Sequence, residues 1–113
     1  MFQSFSNSFG SITVASAGAS LVQAELNGKE LLHDFGDQWY QWAAGAVMFP
    51  FPVRMASGTV MVFEGTEYHW PVNDEKHRAA LHGFTPWEEF ELAQLPNGIQ
   101  AVSYTHLTLP TKA

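Results

Sequence analysis

Apolar and polar residues alternate in short runs along this chain, and turn signals separate the runs. Ile12-Thr13-Val14-Ala15 is one run, closed near Gly18. Leu21 to Leu26 is a second, followed by Asn27-Gly28 and then by Lys29 to Leu32. Asn-Gly between two such runs predicts a hairpin, because a type I′ turn needs positive φ at both central residues. A second hairpin is predicted from Val60-Met61-Val62-Phe63 through Glu64-Gly65-Thr66 to Glu67-Tyr68-His69-Trp70. A third joins Phe90-Glu91-Leu92 to Ile99 across Pro96-Asn97-Gly98. Successive hairpins predict an antiparallel, all-β fold. Helix signals are thin: Lys76 to Leu81 is closely bounded by Pro71 and Gly83 and is long enough for a turn. Two long connections interrupt the pattern, Phe35 to Arg54 (rich in Trp, Gly and Pro) and Pro71 to Trp87 (rich in His, Asn and Asp). Long loops in a compact domain concentrate function.

Composition narrows the classes. The chain has 113 residues, which suits one domain, and its 46% hydrophobic and 14% charged content is that of a globular protein. A net charge of −6 with five scattered Lys and Arg residues disfavours nucleic acid and anionic membrane surfaces as partners. The cysteine count is zero, so disulfides and thiolate metal sites are excluded, and a cytoplasmic location fits. Met1 to Gly10 lacks the basic start and apolar stretch of a signal peptide. No run approaches the roughly 20 apolar residues needed to span a bilayer.

The end of the chain reads differently. Val102 to Thr111 resembles the in-frame translation of a transposase-derived adapter used in sequencing libraries, and Ala101 joins it in frame. The expected division is therefore 1–101 as native chain and 102–113 as an adapter-derived tail. On that division Tyr104 and His106 carry no functional meaning.

Candidate chemistry lies in the two long connections. Gly45-Ala46-Val47-Met48-Phe49-Pro50-Phe51-Pro52-Val53-Arg54-Met55 resembles the Gly-x-x-x-Phe-Pro-x-Pro-Asn-Arg-Ile stretch of aldose 1-epimerases. Gly58, the Phe63-Glu64-Gly65-Thr66-Glu67-Tyr68 hairpin, Val72-Asn73 and Leu81-His82-Gly83 follow in that family's order. The resemblance covers Gly28 to Phe90, about the first third of a family member. It implies an antiparallel β-sandwich of the galactose mutarotase type, of which this chain would be the N-terminal part. It implies an isomerase that interconverts the α and β anomers of a free hexose, with no cofactor or metal. A general base takes the anomeric proton, a general acid protonates the ring oxygen, and the ring opens, rotates and recloses. The resemblance places the base Glu and the acid His beyond Ala101, so no catalytic residue is expected here. The substrate-binding candidates are Arg54, His82 and Asn73. Val53 stands where the motif carries Asn, which puts one substrate hydrogen bond in question.

The residue types suit a sugar independently. Arg offers a rigid fork of donors, His donates or accepts near neutral pH, and aromatic faces pack on C–H surfaces. Blander readings stand beside these. Arg54 could be a surface charge and His82 a core histidine. His69 reads as structural, and Asp74-Glu75 with His77 reads as a solvated loop. Glu88 and Glu89, if on a strand, point to opposite faces and read as an exposed edge rather than a paired-carboxylate site. His69, His77 and His82 lack the i, i+4 spacing of a helical metal pair. Trp39, Trp42, Phe49 and Phe51 read as core, with one of them a candidate pocket wall. Two rival functions remain: a hexose-6-phosphate epimerase, for which only Arg54, Lys76 and Arg78 are nearby cations, and a non-catalytic carbohydrate-binding β-sandwich module.

Overall fold

A computed structural model describes residues 1–103 and the backbone of 111–112. Most of the segment read as adapter-derived, including Tyr104 and His106, lies outside the described residues. The strands in chain order are β1 (Phe2–Ser6), β2 (Gly10–Ala15), β3 (Ser20–Leu26), β4 (Lys29–Glu30), β5 (Val60–Phe63), β6 (Thr66–His69), β7 (Glu91–Leu95), β8 (Gly98–Val102) and β9 (Thr111–Lys112). Every strand pairing is antiparallel, and the helical content of the described residues is two single 3₁₀ turns, Gly36–Gln38 and Thr85–Trp87. The all-β, antiparallel expectation is met. No helix among the described residues is long and apolar enough to cross a membrane.

The chain forms two compact units. Of the described residues, one unit contains Met1–Val47 and residues 85–103; the other contains Met48–Phe84 and the backbone of 111–112. In the first, β1 to β4 make a sheet in sequence order. Asn27 (φ 52°) and Gly28 (φ 83°) both take positive φ, as the predicted type I′ turn requires. The strand after that turn is shorter than the sequence suggests, although the Leu31 N–H still donates to Ala24 O at 2.8 Å. Strand β1 was not signalled: Gln3 and Phe5 are its half-buried positions, so the inward face is not uniformly apolar. Before β2, Asn7 Oδ1 accepts the N–H groups of Phe9 (2.8 Å) and Gly10 (3.1 Å), closing a local turn. The β7–β8 hairpin turns on Pro96-Asn97, as its register from Leu95↔Gly98 to Glu91↔Val102 shows.

In the second unit β5 and β6 pair from Val60↔His69 to Phe63↔Thr66. The turn is two residues, Glu64 (φ 50°) and Gly65 (φ 79°); Thr66, expected in the turn, opens β6. The backbone of β9 pairs with β6 at Glu67↔Lys112 and Tyr68↔Thr111. Trp70 follows β6 and anchors a small aromatic group. It stacks on Phe84 (centroids 4.4 Å apart, 26° between planes) and meets Phe51 edge-on at 5.0 Å. Such pairs contribute beyond simple area burial.

Candidate functional site

The second unit brings the sequence candidates together by a narrow backbone ladder. Arg54 pairs antiparallel with Leu81. Met55 N–H donates to Ala80 O at 2.9 Å, and His82 N–H donates to Val53 O at 3.0 Å. Residues 53–55 and 80–82 thus lie side by side, joined through the isolated antiparallel bridge at Arg54 and Leu81.

On the other side of 80–82 stands Asn73. Its Nδ2 donates to Leu81 O at 3.0 Å, and its Oδ1 accepts the Leu81 N–H at 2.6 Å. The side-chain amide therefore acts as a third strand one residue wide. Only Asn or Gln carries both a donor and an acceptor in that planar arrangement. Asn73, predicted as a sugar ligand, is placed as a fastener of the segment that carries His82.

Just beyond His82, Gly83 sits at φ 70°, and a Cβ there would lie 2.1 Å from Phe49 O. The Phe49 carbonyl accepts the Phe84 N–H at 2.8 Å, so the close approach is a bonded one. Glycine is required by both space and φ.

His82 is half-buried, and its Nδ1 accepts the backbone N–H of Val53 at 2.9 Å. An accepting Nδ1 places the neutral ring's proton on Nε2, which has no acceptor among the described residues. Burial pushes the His82 pKa below its ordinary value of 6.5, and the Arg54 charge pushes it the same way. His82 is therefore a neutral Nε2–H donor at pH 7.

Arg54 donates from Nε to Asp74 Oδ2. Its side chain is 51% exposed while that of Asp74 is 11% exposed. His77 closes on the same carboxylate, with Nδ1 at 3.0 Å from Oδ2 and 3.2 Å from Oδ1. The Arg54 guanidinium holds the Asp74 carboxyl below its usual 3.8; His77 adds to this, and partial burial opposes it. Glu75 and His77 are exposed, as the solvated-loop reading expects, while Asp74 is half-buried and held by Arg54 and His77. The 3-residue spacing of Asp74 and His77 was visible, but the partner Arg54 lies 20 residues away in sequence.

Other expectations shift as well. Trp42 and Phe49 are exposed rather than core, because irregular backbone in the long connection gives no period that would aim them inward. Phe51 packs on Trp70, and Trp39 meets Phe2 edge-on at 5.9 Å. Glu89 lies in an isolated bridge with Ala17 rather than on a strand, and it accepts the Ser16 hydroxyl. His69 pairs with Glu67 at 2.9 Å across one strand face. No cluster of three metal-ligating side chains occurs among the described residues.

An open cleft of about 570 Å³ adjoins Arg54, walled by Phe51, Pro52, Met55, Val60 and Met61. A different cleft of about 360 Å³ lies in the first unit, lined by Phe2, His33 and Asp34 and by Trp39 and Trp42 of the aromatic pocket-wall candidates, and contains none of the substrate-binding candidates Arg54, His82 and Asn73.

Comparison with known proteins follows the same lines. A family model described as aldose 1-epimerase matches residues 2–112. The uncharacterised protein YihR of Escherichia coli K12 is 30% identical over 84 residues, spanning 74% of this chain and 27% of YihR. A crystal structure of an E. coli K12 protein described as a candidate aldose 1-epimerase superposes with a TM-score of 0.68 at 22% identity. That match covers 86% of this chain and 33% of the solved one, and it establishes likeness of fold.

Proposed function

Because the chain belongs to the aldose 1-epimerase family, we propose that it carries the sugar-binding portion of an enzyme that interconverts the α and β anomers of a free hexose. The observation that carries this reading is the pairing of two fixed donors on one ladder. Arg54 is anchored at Nε and retains its Nη groups for hydroxyl oxygens. His82 is anchored at Nδ1 and retains Nε2–H. Both are donors to the oxygens of a sugar, and His82 stays neutral, so it donates a hydrogen bond without adding charge.

A neutral hexose suits this pair better than a phosphorylated one. The charge of Arg54 is already matched by Asp74, so little net positive potential remains to hold a phosphate. The apolar wall of Phe51, Pro52 and Met55 beside Arg54 suits the C–H face of a pyranose. In the proposed reaction the ring opens to the aldehyde, turns about C1–C2 and closes on the other face. The general acid and base belong to sequence outside residues 1–101. A cytoplasmic setting accompanies this reading, in keeping with the zero cysteine count.

Polarimetry of freshly dissolved α-D-glucose and α-D-galactose tests the division of labour. The chain alone should leave mutarotation at the buffer rate while binding the sugars saturably. A rate above buffer that tracks protein concentration would place a catalytic pair inside this chain and overturn the division. Saturable binding that persists when both Arg54 and His82 are replaced would favour a plain carbohydrate-binding module.

A further inference from the structure

Asp74 makes no direct claim on a sugar, yet it is among the most constrained polar side chains of the second unit. Its backbone is bridged to Ala79 in both directions at 3.1 Å. Its carboxylate receives the His77 N–H at 3.4 Å and faces His77 Nδ1 at 3.0 and 3.2 Å. The side chain is 11% exposed, whereas its partner Arg54 is 51% exposed. The carboxylate is therefore the fixed member of the pair, and the long guanidinium side chain is the one being held.

The point of attachment matters. A guanidinium carries five N–H donors, one at Nε and four on the two Nη atoms. Asp74 takes the Nε side. Among the described residues the Nη groups have no carboxylate partner. A carboxylate that bound the Nη edge instead would consume the donors a ligand needs.

We infer that Asp74, backed by His77, is a positioning residue for Arg54: it grips Nε, fixes the plane of the guanidinium and leaves the Nη edge for the ligand. The inference rests on the reading that Arg54 binds the hexose. Holding the side chain beforehand removes rotamer freedom that would otherwise be lost on binding. It also explains why arginine is needed. A lysine has one compact ammonium, and Asp74 would occupy it, leaving no rigid fork for sugar hydroxyls.

The test uses the ¹⁵N-labelled chain, whose two arginines, Arg54 and Arg78, give separable side-chain Nε–H signals. The Arg54 Nε–H should be visible and slowly exchanging near neutral pH. Asp74→Asn and Asp74→Ala should each shift and broaden it while the Arg78 signal stays in place. In titrations with D-galactose and D-glucose, Asp74→Asn should raise Kd roughly tenfold, the loss of one charge-assisted contact. In an Arg54→Lys background the same Asp74→Asn change should add nothing, which a merely structural role would not produce. An Arg54 Nε–H that stays protected in Asp74→Ala overturns the inference. So does a Kd that worsens equally in both backgrounds. A wild-type chain that binds neither hexose would sink the sugar reading, and the Nε–H signal would then decide separately whether Asp74 holds Arg54.

Discussion

Val53 and His82 hold each other twice. The Val53 N–H donates to His82 Nδ1 at 2.9 Å, and the His82 N–H donates to Val53 O at 3.0 Å. Both residues lie in left-handed backbone, Val53 at φ 56° and His82 at φ 61°. The ring is thus oriented by the backbone of the residue that precedes Arg54, so the two candidate ligands share one support.

Positive φ is unfavourable for a β-branched residue, while Asn tolerates it. The aldose 1-epimerase motif carries Asn where this chain has Val53. Val53→Asn should therefore stabilise the local fold by about 1 kcal/mol. Hydrogen exchange of the His82 amide reads this directly. Slower exchange by about fivefold is expected; unchanged or faster exchange would show that the backbone at Val53 carries no such strain.

Acidification should loosen the same pair. The folded state lowers the His82 pKa below 6.5, first through burial and then through Arg54, so the unfolded chain binds that proton more readily. The stabilisation is complete above 6.5 and is lost as pH falls through the folded value. Protonation at Nδ1 would also set two donors against each other at the Val53 N–H. An NMR titration should give a His82 ring midpoint below 6.5, with the Val53 amide shifting in step. A midpoint at or above 6.5 would contradict the assignment. Asp74 contributes a separate loss at lower pH, below 3.8, because its pKa is also lowered by the Arg54 hydrogen bond.

Asn73 supplies the next expectation. Asn73→Ala removes both partners of the Leu81 backbone, a loss of about 1–2 kcal/mol for two hydrogen bonds at a partly solvated site. The Leu81 amide should exchange roughly tenfold faster or more. Protection equal to wild type would mean that the 80–82 segment is held without it.

Much of the architecture was legible because it is written in turns. Asn27-Gly28 and Glu64-Gly65 take the positive φ values that their hairpins demand, and those signals are local. Arg54 and His82 were legible through the motif that contains them. Three features were not. Strand β1 hides because Gln3 shares its inner face with Phe5. Asn73 reads as a ligand through its place in the motif order, which does not encode that its amide bonds Leu81. The Arg54–Asp74 contact joins two loops, and no period or spacing in the sequence encodes which loop charge will meet which.

The exposed apolar surface leads to an expectation about solution behaviour. The buried hydrophobic residues among those described are five alanines and Trp70, while Phe9 and Trp42 are each 66% exposed. So thin a core, with bare aromatic faces, favours association. The chain should bind the dye ANS and should sediment above monomer mass as concentration rises. A monomer that unfolds in one cooperative step and ignores the dye would refute this.

The central claim is that Arg54 and His82 form the hexose-binding part of this chain. Titration of the ¹⁵N-labelled protein with D-galactose and D-glucose tests it most directly. The account predicts saturable shifts at the Arg54 Nε–H and the His82 ring, with a Kd, read at the His82 ring, that is weakened but still measurable in Arg54→Lys. No shift at either group up to the solubility limit of the sugars, or an equal Kd at the His82 ring in wild type and Arg54→Lys, would contradict it.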